Sequence, residues 1–301
     1  MVGEKPNVLI QQLIRLPFYL LALFVVLPYY WMVLGAFKPL PELVKNPPTF
    51  IVENPTLDNF YNPRWNPDEF NPNEVQGFFQ RFQDYNLPLG MGTFFLNSMF
   101  VTVAITVLTV LIASAVAYVL VKHPFPGNKL VFWLIIGSMM LPWQVTLIPG
   151  FLIVKDLGWM NTFWALIIPA LANAYTVFFL RQSIAQMPEE LFDAARIDGA
   201  GELRIWWQIV LPLLRPAIAA MAIFIALANW NNFLWPLIVL ESPSTYTLPM
   251  IIKELSINSN DPRGAGVVMV ATLLSSIPAF IFFLFFQRQF VQGIAVGAVK
   301  G

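Results

Sequence analysis

Cysteine is absent, histidine occurs once, and charged residues make up only 11% of the chain. Each shortage excludes something. Without cysteine there are no disulfides, no iron–sulfur clusters and no thiolate metal sites. The single histidine, His123, cannot build a metal site without distant carboxylates. No G-x-x-x-x-G-K-[ST] run occurs, so a phosphate-cradling loop of that kind is missing. Soluble domains hold about 25% charged residues. Less than half that share, beside 57% hydrophobic residues, points to a membrane protein. Net charge is zero, so the total gives no pull toward nucleic acid, and no such partner is expected.

What is present is a set of long uncharged runs. A membrane-crossing helix needs about 20 apolar residues. Six runs qualify: Leu16–Phe37, Phe94–Val121, Leu130–Val154, Leu157–Leu180, Pro216–Leu240 and Gly264–Gln287. The third and fourth are separated by Lys155-Asp156. With Gly158 and Asn161 that pair reads as a tight turn at the membrane surface; one buried, kinked segment is the alternative. The first run is too long for a signal-peptide core and lacks a following small-residue cleavage site, so a retained helix is expected. Prolines interrupt several runs, which neighbouring helices or water can rescue. No internal repeat is evident. The fold class expected is all-α, a polytopic membrane protein with six transmembrane helices.

The basic residues suggest an orientation. Both ends and alternate loops hold ten of the seventeen bases and six of the seventeen acids. The positive side is expected to be cytoplasmic, with both termini on it. The division by sequence is then 1–37, an inner N-terminus and first helix; 38–93, an extracytoplasmic loop; 94–287, a core of five helices; and 288–301, an inner tail. Segment 38–93 holds nine prolines and also Phe60, Tyr61, Trp65, Phe70, Phe78, Phe79 and Phe82. That aromatic load reads as a small irregular cap or a docking surface, with a floppy insert as the alternative.

Residues 187–216 form a charged island between uncharged runs. Pro188, Glu189 and Glu190 suit the first turn of a helix. That helix should reach about Ile197, with Gly199 ending it in the left-handed conformation. Gly201 and Glu202 should start a second helix whose face is Leu203, Trp206, Trp207 and Val210, stopped or kinked at Pro212. Ala194 and Ala195 let a backbone approach another surface closely. Physics alone leaves two readings open: an interfacial connector, or a piece built for insertion into a partner.

The spacing Asp193-Ala194-Ala195, three residues, Gly199, nine residues, Ile209, then Leu211-Pro212 resembles the "EAA" loop of ABC-importer permease subunits. One departure is Asp193, where the family has Glu. Asp198-Gly199-Ala200, "NWNNFLWPLIVL", "TYTLP" and "FVQGIAVGAVKG" resemble the carbohydrate-uptake branch, close to the second permease of maltose-type importers. The resemblance implies a type I importer permease fold. It also implies four kinds of partner: a second homologous permease, an ATPase homodimer, an extracytoplasmic solute-binding protein and a sugar. The protein would be multi-pass in the cytoplasmic membrane of a bacterium or archaeon, among lipid. It would be no enzyme, with no cofactor in this chain; ATP and Mg would sit on the ATPase. On this reading Asp193, Ala194, Ala195, Asp198, Gly199, Leu211 and Pro212 couple to the ATPase. Tyr246, Leu248 and Pro249 would meet the binding protein.

Asn229, Trp230, Asn231 and Asn232 sit mid-run, where polar groups are expensive. Amides beside an indole suit a sugar, although interhelical hydrogen bonding explains them equally well. Helix packing is the expected role of Thr102, Thr106, Thr109, Ser275 and Ser276. His123 is expected to be a plain loop residue. Two other functions are weighed. An ion-coupled transporter would carry ionisable residues within its spans, and the six runs have none. A membrane enzyme would need converging acids or histidines.

Overall fold

A computed structural model describes residues 8–65, 76–81, 90–257 and 264–298. Phe70 and Phe82 of the aromatic load lie outside the described residues, as does most of "NPRWNPDEFNPNE" (62–74). The helices are α1 (Val8–Phe37), α2 (Leu40–Leu43), α3 (Met91–Lys122), α4 (Asn128–Met139), α5 (Trp143–Asp156), α6 (Trp164–Ala170), α7 (Ala174–Ile184), α8 (Glu190–Ile197), α9 (Glu202–Ile205), α10 (Leu211–Leu213), α11 (Arg215–Trp230), α12 (Leu234–Val239), α13 (Leu248–Ile257) and α14 (Ala265–Ala298). No β-strand occurs among the described residues.

Three single helices are long and apolar enough to cross a membrane: Arg15–Phe37, Met91–Lys122 and Ala265–Phe285. Three bent pairs bring the count to six when each pair is one span. The bends divide runs that the sequence reads as single, proline-interrupted spans. The third run breaks by 103° between α4 and α5, where Pro142 precedes α5 and its ring cannot continue the earlier helix. The tight turn expected at Lys155-Asp156 with Gly158 and Asn161 occupies 157–163, just after α5, and α6 and α7 are bent by 40°. Asn173 makes that second helix start: its Oδ1 accepts Thr176 N and Thr176 Oγ1, both at 2.9 Å. The fifth run does not continue to Leu240. α11 ends at Trp230, and at its other end it meets Glu202–Leu213 at a bend of 78°. The tail expected over 288–301 is helical to Ala298.

The chain divides into two compact units. The larger comprises 91–251 and 277–301. In it α3 packs along α7 and α11. Ile105, Ala113 and Ala117 of α3 meet Leu180 and Ile184 of α7 and Met221 and Ile225 of α11 in one buried cluster. Ala113, Ser114 and Ala117 are small, which lets membrane helices approach closely. Thr102 and Thr109 are buried on α3, as a packing role requires.

The smaller unit comprises 1–90 and 252–276. The segment after α1 is an ordered cap rather than a floppy insert over its described part. It has almost no regular structure, so side chains must satisfy its backbone. Asn59 Nδ2 donates to Ala36 O at 3.1 Å and Lys38 O at 2.7 Å. Gln80 accepts from Asn62 N and Gly77 N and donates to Asn62 O. Glu42 accepts Glu53 N at 2.6 Å, and Lys38, wholly buried, donates to Thr49. Gly266 lies so close to Asn59 that an added Cβ would come within 2.4 Å of its amide.

Asn59 is 2% exposed. Replacing it with alanine would strand two buried carbonyls, at about 1–3 kcal/mol each. Asn59→Ala is therefore expected to lower the thermal midpoint of the detergent-purified protein and to speed proteolysis of segment 38–65.

Candidate functional site

The charged island folds as a short hairpin of α8 and α9. α8 ends as the sequence requires. Asp198 is the C-cap, and Gly199 follows with φ +75°. Ala200 N bonds Ala195 O at 2.9 Å and Gly199 N bonds Arg196 O at 3.0 Å. That pair of bonds is a Schellman closure, and it needs a left-handed residue at Gly199. A Cβ there would meet nothing within 4 Å, so strain alone selects glycine. Gly201 is extended and starts α9.

Glu202 fastens the hairpin to the end of α3. Its Oε2 accepts from Tyr118 Oη at 2.5 Å and lies 3.0 Å from His123 Nε2, while Oε1 accepts from Arg196 Nε at 3.1 Å. Arg196 also reaches Asp193 Oδ1 at 3.4 Å. Lys122 pairs with Glu189, its ammonium 3.9 Å above the Phe192 ring. Phe192 is wholly buried and stacks on Tyr118 at 6.3 Å. His123 is thus part of the hairpin's attachment, not a plain loop residue. Sequence spacing gave no sign of it, because 79 residues separate it from Glu202.

The second helix departs from the expected face. A π-helical turn occupies Trp206–Val210. It carries five residues, not four, between aligned positions, so Ile205, Val210 and Leu214 become the buried row. Leu203 and Trp207 point outward, at 82% and 59% exposed. The turn sits just before Pro212, whose ring would clash with the carbonyl four residues earlier in a regular helix.

The two alanines also separate. Ala195 is buried within the chain and Ala194 is exposed. Beside Ala194, the exposed positions on the hairpin include Asp193, Ile197, Asp198, Gly199 and Leu203. Ile197, at 86% exposed, and Leu203 leave an apolar surface next to acidic groups. Leu211 and Pro212 lie in α10, beyond the π turn.

Residues at the other end of α3 meet a second group. Trp230 is buried and touches Phe95 edge to face at 5.7 Å. Asn229 Nδ2 and Asn231 Nδ2 each donate to the carbonyl four residues earlier, at 2.8 Å. These bonds end α11 and consume amide donors expected for a solute. Asn229 and Asn232 line a small cavity with Ser98 and Thr247. The loop after α12 carries Tyr246, and Leu248 and Pro249 open α13. Leu248 is wholly buried, so Tyr246 and Pro249 are the two of these that reach the surface.

Hydrogen bonding from Tyr118 and pairing with Arg196 hold the Glu202 carboxyl below its ordinary range. Its folded value is depressed, so the fastening is fully present above the unfolded carboxylate pKa. It is lost as pH falls through the folded value. With no native cysteine, a spin label at Leu203→Cys reports this directly. Label mobility is expected to rise as pH falls below about 4. Glu202→Gln should lose most of that step. An equal step in both chains would show that Glu202 is not its source.

Comparisons with known proteins fit this arrangement. The chain is 35% identical to the arabinooligosaccharides transport system permease protein AraQ of Halalkalibacterium halodurans, over 99% of both. It is 32% identical to the lactose transport system permease protein LacG of Rhizobium radiobacter, over 91% of both. It is 36% identical to the sn-glycerol-3-phosphate transport system permease protein UgpE of Yersinia pestis bv. Antiqua, over 67% of this chain and 72% of that one. A chain of a bacterial ABC transporter involved in import of the acidic polysaccharide alginate shares the fold, with a TM-score of 0.77. That likeness covers 95% of this chain and 99% of the other at 20% identity. Residues 109–296 match the model of the binding-protein-dependent transport system inner membrane component, and the chain belongs to that family, the membrane-spanning permease subunits of ABC importers.

Proposed function

We propose that this chain is one of two permease subunits of an importer for a di- or oligosaccharide. It performs no chemistry of its own. Its partners are a second homologous permease, an ATPase homodimer that binds ATP and Mg, and an extracytoplasmic solute-binding protein. The hairpin and both termini face the cytoplasm, following the basic residues. ATPase motion enters through the hairpin and biases the membrane helices between inward- and outward-open states.

The observation that carries this reading is the hairpin's division of labour. One side, through Phe192, Ala195 and Glu202, is fixed to the chain's own helices. The other side presents Ala194, Ile197, Asp198 and Leu203, exposed among the described residues. Apolar side chains more than four-fifths exposed on an otherwise tied-down hairpin suit a cleft in another protein. Asp193 and Asp198 can meet bases at its rim. Toward the solute, Asn229 and Asn232 are better placed than the buried Trp230. The relatives named for arabinooligosaccharide and lactose support a neutral sugar, and the six uncharged runs hold no basic residue for a phosphate.

Gly199→Val strains a left-handed position by roughly 1–2 kcal/mol and misaims α9. The complex is expected to reach the membrane with its ATPase bound. Uptake of labelled oligosaccharide should fall by about tenfold or more. Wild-type uptake by this variant would remove the coupling role. Purification from its native membrane without any ATPase would remove the importer reading.

A further inference from the structure

The loop that joins α12 to α13 is short and carries little regular structure beyond one 3-10 turn at Pro243–Thr245. Yet its polar groups are held from two sides by side chains far away in sequence. Asn161, in the turn between α5 and α6, is the main one. Its Oδ1 accepts Glu241 N at 3.0 Å, Ser242 N at 3.0 Å and Thr245 Oγ1 at 2.8 Å. Its Nδ2 donates to Ser242 Oγ at 2.7 Å, and its backbone N–H donates to Val239 O at 2.7 Å. The second side is the start of α3. Asn97 Nδ2 donates to Ser244 O at 2.9 Å and Tyr246 O at 3.0 Å, and Ser98 Oγ accepts Leu248 N at 2.8 Å.

One amide therefore takes up both exposed backbone donors at the loop's start and the hydroxyl that closes its 3-10 turn. Asn161 itself has φ +57°, the left-handed region that asparagine tolerates better than most residues. Its backbone conformation aims the amide across to a loop 80 residues later. Tyr246 is partly exposed at the loop's end, its hydroxyl returned to Glu241 O at 3.2 Å.

We propose that Asn161 is a positioning residue. Its amide pre-organises the 241–246 loop so that Tyr246 and Pro249 meet the solute-binding protein without a further ordering cost. The proposal rests on the reading that this loop is the binding-protein contact. A loop ordered before docking loses less freedom when it docks, and so docks at lower partner concentration. Asn161 touches neither the sugar nor, on this reading, the binding protein itself.

The test uses the assembled transporter in nanodiscs with its binding protein. Asn161→Gly keeps the left-handed backbone and removes the amide. Asn161→Asp keeps the acceptor for the three donors. Hydrogen exchange at Glu241 and Ser242 is read first; it should quicken in Asn161→Gly and stay slow in Asn161→Asp. The binding-protein concentration for half-maximal ATPase stimulation should rise about tenfold in Asn161→Gly. The rate without binding protein and the rate at saturation should stay unchanged, and Asn161→Asp should restore the low concentration. A merely structural role would lower all rates together. Unchanged exchange in Asn161→Gly overturns the proposal. Faster exchange with unchanged half-stimulation also overturns it, and Tyr246→Ala then separates the causes. If Tyr246→Ala raises the concentration, only the positioning role fails; if it does not, the loop is no binding-protein contact and both readings fall.

Discussion

The carboxylate of Glu202, beside the Lys122–Glu189 pair and the buried Phe192, ties the hairpin to α3, and the coupling proposed for the hairpin depends on that joint. Both oxygens are used, one by the phenol of Tyr118 with His123 alongside, the other by Arg196. Charge-assisted bonds of this kind are shorter and stronger than neutral ones. Tyr118 and His123 lie at the end of α3, while Arg196 closes α8. One residue thus links both short helices of the hairpin to the longest buried span. Pushing on α8 moves α3 because the joint is fixed in direction as well as in place. A greasy contact through Phe192 alone would hold the hairpin but allow it to slide.

The two ends of α3 are fastened by different chemistry. Near Lys122 the ties are ionic and involve six charged or titratable side chains within reach of one another. Near Asn97 they are neutral amides and hydroxyls. Ionic ties are strong and directional but depend on protonation and, where exposed, on salt. Amide ties hold a backbone in shape whatever the pH. The ionic end belongs to the part proposed to carry mechanical force, and the neutral end to a loop proposed to present a fixed surface.

The legibility of the sequence varied with the range of the interactions involved. Local chemistry could be read: Gly199 closes α8, Gly201 opens α9, and Pro188 precedes the first turn, because each is settled within four residues. The six apolar runs were readable as membrane material, and so was the turn at Gly158 and Asn161, but the breaks after Met139 and Trp230 were not. Pro142 was visible, yet a proline can kink a helix or end it, and the 103° turn depends on what packs beside it. The π turn at Trp206–Val210 was hidden, since a 3.6-residue period fits Leu203, Trp206, Trp207 and Val210 well. The chain inserts a residue there because Pro212 forbids the regular bond. Asn229 and Asn231 suited either a solute or a helical hydrogen bond by composition. Each gives one amide bond to the last turn of α11, a need invisible until the helix is known to stop at Trp230.

The cap formed by residues 38–65 and 76–81 shows why polar, proline-rich composition did not mean disorder. Proline removes backbone donors, which lowers the number of groups that burial would strand. The remaining donors and carbonyls are then few enough for single side chains to satisfy. Asn59 takes two carbonyls, Gln80 takes two N–H groups and one carbonyl, and Glu42 takes one N–H. Aromatic rings supply the burial that regular structure would otherwise provide, with Phe78 wholly buried and Phe37 packed on Phe60 at 5.3 Å. Such a cap is only as stable as its amides, because no ladder of repeated bonds backs them up. Each amide replaced removes several bonds at once, whereas a helix losing one side chain keeps its backbone bonds.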